Sequence, residues 1–117
     1  MLCHRARMSE PPLLLLRGTD LRYVLTRLLE LSGPATIQQL IGGLAHWDFT
    51  VEGRPSKTVS DALRWEMGYG RVWRIGRGLY RAGEMPRGTD YRIRKRVAAL
   101  REEVLSLKGG HRSLFID

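Results

Sequence analysis

The sequence predicts an α+β, mainly helical fold: three helices, a hairpin sheet of two or three strands, and an additional C-terminal helix. Three observations predict it. The stretch from Pro55 to Gly83 reads as one helix, a glycine stop and a hairpin. Apolar stripes of helical spacing stand before and after it. The chain has 117 residues and is 43% hydrophobic, which suits one globular domain with one core.

Residues 1–16 are an N-terminal extension with no usable periodicity. Pro11-Pro12 bars a regular helix, and Leu13–Leu16 offers an extended segment that covers the bottom of the core. Residues 17–83 form the main domain. Its first helix should start at Thr19 or Asp20 and stop near Ser32, with Leu21, Val24, Leu25, Leu28 and Leu31 as its apolar stripe. Gly33-Pro34 ends it, because proline removes a donor and restricts the residue before it. The short Gly33-Pro34-Ala35 link has room for a third strand beside the hairpin. The second helix should start at Thr36, where Thr36-Ile37-Gln38-Gln39 has the spacing of a capping box. Ile37, Leu40, Ile41 and Leu44 form its stripe, and Gly42-Gly43 would let the third helix approach closely.

Between Ala45 and Pro55 two structures are open: a second helix continued through Phe49, or an extended loop. Trp47 and Phe49 are expected to plug the core in either case. The third helix, Lys57–Met67, takes Ser56 as N-cap. Val59, Ala62, Leu63 and Met67 face inwards. Lys57, Asp61, Arg64 and Gly68 face out, with Ser60 and Trp65 towards the edges. Gly68 and Gly70 stop the helix. Arg71–Ile75 and Leu79–Arg81 then flank Gly76-Arg77-Gly78 as a hairpin.

Residues 84–108 carry the C-terminal helix, from about Asp90 to Lys108, and 109–117 are a tail. Arg87-Gly88-Thr89-Asp90 repeats Arg17-Gly18-Thr19-Asp20, which predicts the same threonine or aspartate N-cap chemistry at both helix starts. Ile93, Val97, Leu100, Val104 and Leu107 are spaced 4, 3, 4 and 3. Such a stripe has two fates: packing on the first helix, or pairing with its twin in an antiparallel homodimer.

The net charge is +8, and it is unevenly placed. From Arg71 to Arg101 ten basic residues face only Glu84 and Asp90, so this segment holds the whole excess. A clustered basic excess is the footprint of a polyanion partner, although many charge runs are only solvated surface. Cys3 is the only cysteine, so no internal disulfide forms and no cysteine cluster holds zinc. The adjacent Cys3-His4 reads as tail, not as a ligand pair. No apolar run is long enough for a membrane span and no secretory signal is legible, so cytoplasmic residence is expected. His46 and Asp48 have the types of a base and its orienter, but no nucleophile motif accompanies them. Neither an enzyme nor a cofactor is expected, since Gly76-Arg77-Gly78 leads into a strand and not a phosphate-binding helix.

A short helix with a polar outer face, followed at once by an arginine-tipped hairpin, resembles the second half of a winged helix-turn-helix. The residues carrying the resemblance are Lys57–Met67 and the wing Gly76-Arg77-Gly78-Leu79-Tyr80-Arg81. The wing is also similar to that of the N-terminal domains of AbiEi-type antitoxins, which often read Arg-Gly-x-Tyr at this place. The long 45–55 connection departs from the tight turn of the plain motif. The resemblance implies a small transcriptional regulator on double-stranded DNA, with the helix in the major groove. Lys57, Ser60 and Arg64 would read bases. Ser56 and Thr58 would hold phosphate, and Arg74, Arg77 and Arg81 would clamp backbone or enter the minor groove. Asp61 would repel phosphate or accept from a cytosine amino group. The alternative is a winged-helix protein–protein module that uses exposed Trp65 or Trp73; RNA is a third partner that the same basic surface would hold.

Overall fold

A computed structural model describes residues 13–108. The fold is α+β and mostly helical, with four helices and two small sheets among the described residues. In chain order it runs β1 (Leu14–Leu16), α1 (Gly18–Ser32), β2 (Ala35–Thr36), α2 (Ile37–His46), β3 (Phe49–Val51), α3 (Pro55–Gly68), β4 (Val72–Gly76), β5 (Leu79–Ala82) and α4 (Arg87–Leu107). Residues 1–12 and 109–117, including the Cys3-His4 pair, lie outside the described residues.

Helix α1 is the centre, and α2, α3 and α4 all pack on it. A helix with neighbours on several sides buries a broader arc than one stripe. Leu29 and Thr26 are therefore buried along with Leu21, Val24, Leu25 and Leu28, whereas Leu31, in the last turn, is 55% exposed. Leu31 was expected inside. Helix α2 starts as the capping box dictates. The Thr36 hydroxyl accepts from the Gln39 amide at 3.1 Å, and the Gln39 side chain accepts from the Thr36 amide at 2.9 Å. The small residue that permits close approach is Gly43, and its neighbour is Leu28 of α1, not α3. A Cβ on Gly43 would lie 3.1 Å from a Leu28 methyl.

The 45–55 connection is neither a continued helix nor a plain loop. Asp48 takes a left-handed conformation, φ 64°, and turns the chain out of α2. Phe49–Val51 then pairs in parallel with Leu14–Leu16, which ties the segment before α1 into the fold. Phe49 is buried and Trp47 packs edge-on against it with ring centroids 6.3 Å apart, so both aromatics serve the core.

Three expected N-caps are corrected. Arg54, Arg17 and Pro86 occupy the cap positions of α3, α1 and α4, and none makes a side-chain capping bond. Ser56, Thr19 and Thr89 sit inside the first turns. Pro55 suits the first helical position because its missing N–H is an unpaired group there anyway. Asp20 and Asp90 place negative charge in the first turns of α1 and α4, where the helix dipole favours it.

The hairpin forms β4 and β5, and the short link before α2 adds β2 as a third antiparallel strand, in the order β2-β5-β4. Gly78, at φ 65°, supplies the left-handed residue that the Arg77-Gly78 turn requires. In α4, Ile93, Val97, Leu100 and Val104 are buried, and α1 is the helix that α4 packs on. Within the chain the stripe thus faces its own core, and only Leu107, 47% exposed, reaches the surface. No helix among the described residues is long and apolar enough to cross a membrane.

Candidate nucleic-acid interface

Helix α3 buries Val59, Ala62 and Leu63 and turns its other side to solvent. Lys57, Asp61, Arg64, Trp65 and Gly68 line one shallow groove along that outer side. The two cations there are not free. Asp61 holds Lys57 at 3.0 Å and stands 3.8 Å from Arg64, so one carboxylate sits between both candidate base readers. Ser60 is half-buried at the edge and Ser56 is exposed in the first turn. Thr58 is engaged within the fold. Its hydroxyl donates to the Glu52 carbonyl at 2.7 Å and its amide to the Arg54 carbonyl at 3.0 Å. Thr58 therefore pins the loop between β3 and α3, and its hydroxyl proton is committed inside the fold.

The hairpin carries three exposed arginines without a carboxylate partner among the described residues: Arg74, Arg77 and Arg81. Arg77 forms the tip. Register separates the other two. Arg74 is paired with Tyr80 and Arg81 with Trp73, so they project from opposite faces of the ribbon. A single backbone cannot meet both in the same way.

The residue that sets α3 against the hairpin is one that the sequence reading overlooked. Glu66 is fully buried. Arg71, which leads into β4, grips it with two bonds, Nε to Oε1 at 2.8 Å and Nη2 to Oε2 at 3.0 Å. Thr26 of α1 donates its hydroxyl to Oε1 at 2.9 Å, and Arg22 Nε lies 3.3 Å from Oε2. The last is an ion pair without hydrogen-bond alignment, and Arg22 Nε has no hydrogen-bond partner among the described residues. Hydrogen bonding to Glu66 raises the Arg71 pKa above its ordinary value, against the opposing effect of burial. A signal was available: Glu66 stands seven residues after Val59 and three after Leu63, on the buried side of the helix. Met67, expected in the core, only packs at its edge.

Cation–aromatic contacts surround this hub. Arg22 lies over Trp65 at 5.5 Å, and Arg71 over Tyr69 at 4.4 Å and over Tyr23 at 5.9 Å. Away from this region, His46 and Trp47 border a pocket against α4, where Arg101 stacks on Trp47 at 4.1 Å. Asp48 pairs with Lys108 at 2.7 Å in the same place. No metal-ligand cluster occurs among the described residues. No family model, curated protein or solved structure matches this chain.

Proposed function

We propose that the protein is a winged helix-turn-helix module that binds double-stranded DNA as a small transcriptional regulator. The observation that carries the reading is the juxtaposition of α3, with its solvent-facing Lys57 and Arg64, and a hairpin that presents Arg77 at its tip. The order α1-β2-α2-β3-α3-β4-β5 supports it, with β2 joined to the hairpin sheet and only the short β3 set between the second and third helices. The buried Glu66–Arg71 pair supports it further, since it holds α3 and the hairpin as one rigid unit. In this reading α3 enters the major groove and Arg64 pairs with a guanine edge, while the hairpin arginines contact backbone. Asp61 then faces a cytosine amino group and disfavours phosphate. In this reading the binding unit is a single chain, which the packing of the α4 stripe on α1 supports.

The test is fluorescence anisotropy on a generic duplex at low and moderate salt. Binding that weakens steeply with salt is expected. Arg64→Ala should lower affinity for a selected site by about 1–3 kcal/mol and affect random duplex much less. Equal losses on both would make Arg64 a phosphate contact. A second reading, a protein–protein adaptor, is favoured by the exposure of Trp65 (60%) and Trp73 (52%). It predicts no duplex binding at either salt.

A further inference from the structure

The cation–aromatic contacts around Glu66 do not stop at α3. The Tyr23 ring that receives Arg71 also carries, on its hydroxyl, Arg92 of α4, whose Nε donates at 3.4 Å. Arg92 in turn shares a shallow surface depression with Tyr91 and Lys95. Lys95 lies 5.7 Å from the Tyr91 ring centroid. A chain of neighbours therefore leads from Tyr69, at the end of α3, through Arg71, Tyr23 and Arg92 to Tyr91 on α4, and Trp65 with Arg22 joins it through Glu66. Three of the rings, Trp65, Tyr69 and Tyr91, are 60%, 56% and 63% exposed.

Large exposed rings cost hydration free energy, and their grouping beside arginine and lysine needs a reason. The charge balance gives its sign. Glu66 offsets one of the two arginines that hold it, and neither Arg92 nor Lys95 has a carboxylate partner among the described residues. The track is cationic and presents ring faces. Duplex DNA exposes phosphates but hides its base faces in the stack, so it can use the cations and not the rings. An unpaired strand offers both, because each base has a free π-face and each linkage a phosphate.

We propose that this track is a binding site for single-stranded nucleic acid, with bases stacked on Trp65, Tyr69 and Tyr91 and phosphates held by Arg92 and Lys95. The site does not depend on α3 entering a duplex groove. Trp65 belongs to both surfaces, so a duplex with a single-stranded overhang engages both at once.

The experiment uses the full chain and four labelled probes: oligothymidylate, oligouridylate of equal length, a blunt duplex, and that duplex with a thymidylate overhang. Both single strands are expected to bind and to quench tryptophan emission, and the overhang to bind more tightly than the blunt duplex. Tyr69→Ala and Tyr91→Ala should each weaken strand binding by about five- to 150-fold, the range for one lost base–ring stack. Blunt-duplex affinity should stay within twofold, about 0.4 kcal/mol. Tyr91→Phe should retain binding. Trp65→Ala should remove most of the quenching. A melting curve for each variant separates lost contact from lost fold. Similar thymidylate and uridylate affinities are expected, since neither ring stacking nor a phosphate contact reads the 2′-hydroxyl or the thymine methyl. Two results overturn the proposal: single strands that do not bind, as a surface for an acidic protein would give, or strand affinity that Tyr69→Ala and Tyr91→Ala leave unchanged. Loss of blunt-duplex binding in Arg77→Ala/Arg81→Ala, with strand binding intact, tests the duplex reading separately.

Discussion

Replacing Glu66 by alanine should be the most damaging single change near the candidate interface. The side chain is fully buried and is the common partner of Arg71, Thr26 and Arg22. Removing one member of a buried ion pair costs about 3–5 kcal/mol, because the remaining charge is left without a counterion. The Arg71 and Arg22 side chains keep 14% and 19% exposure, so the orphaned guanidinium groups still reach some water. That places the expected cost at the low end, about 3 kcal/mol. A domain of this size has about 5–15 kcal/mol in total, and each kcal/mol shifts Tm by about 4–8 °C, so the midpoint should fall by about 12–24 °C. Circular dichroism melting and urea titration measure it. Glu66→Gln keeps an acceptor for Thr26 but loses the charge and should fall between wild type and alanine. Glu66→Met with Arg71→Met should be less destabilised than Glu66→Ala, since apolar side chains of similar volume can replace a buried pair. The loss should persist in high salt, because a buried pair is little screened. A cost of Glu66→Ala below about 1 kcal/mol, the worth of a surface pair, would refute the assignment of Glu66 as the buried hub.

Leu100→Asp should abolish the cooperative melt and not merely dissociate an assembly, because it puts an unpaired charge into the contact between α4 and α1, at a cost of at least about 3 kcal/mol; light scattering that shows a wild-type dimer and a folded monomeric variant would reverse this. Arg77→Ala with Arg81→Ala should weaken duplex binding by similar factors on all sequences and reduce the salt slope by up to about two, and an unchanged slope would remove the hairpin from the interface. Burial, followed by the neighbouring Asp90 carboxyl group, raises the Glu30 pKa above its usual 4.5, while Arg27 at 3.1 Å lowers it. A raised carboxyl pKa means that the folded state binds the proton more tightly, so this stabilisation is present below about 4.5 and is lost as pH rises through the folded value. Glu30→Gln should accordingly raise Tm at neutral pH and leave it nearly unchanged in acid, and a lower Tm at neutral pH would show that the Arg27 pair outweighs burial.

Local chemistry was enough for the elements whose signals are local. The Thr36–Gln39 capping box, the Gly33-Pro34 stop, the glycine-tipped hairpin and the stripe Ile93, Val97, Leu100 and Val104 were all legible in the sequence, because each depends on residues within a turn or two. The outward side of α3, with Lys57 and Arg64, followed from the 3.6-residue period alone. Other features depended on contacts far apart in sequence. The pairing of Phe49–Val51 with Leu14–Leu16 joins two short apolar runs, and neither run marks itself as a strand. The packing of the α4 stripe on α1 depends on the surface that α1 offers, which no pattern within α4 records. Caps failed at three helices because a proline or an acidic first turn serves a helix start as well as a threonine in front of it. The buried Glu66 was hidden for the same reason as the strand pairing: a carboxylate on an inward position is tolerable only if Arg71, Arg22 and Thr26 converge on it, and only the folded chain brings those three together.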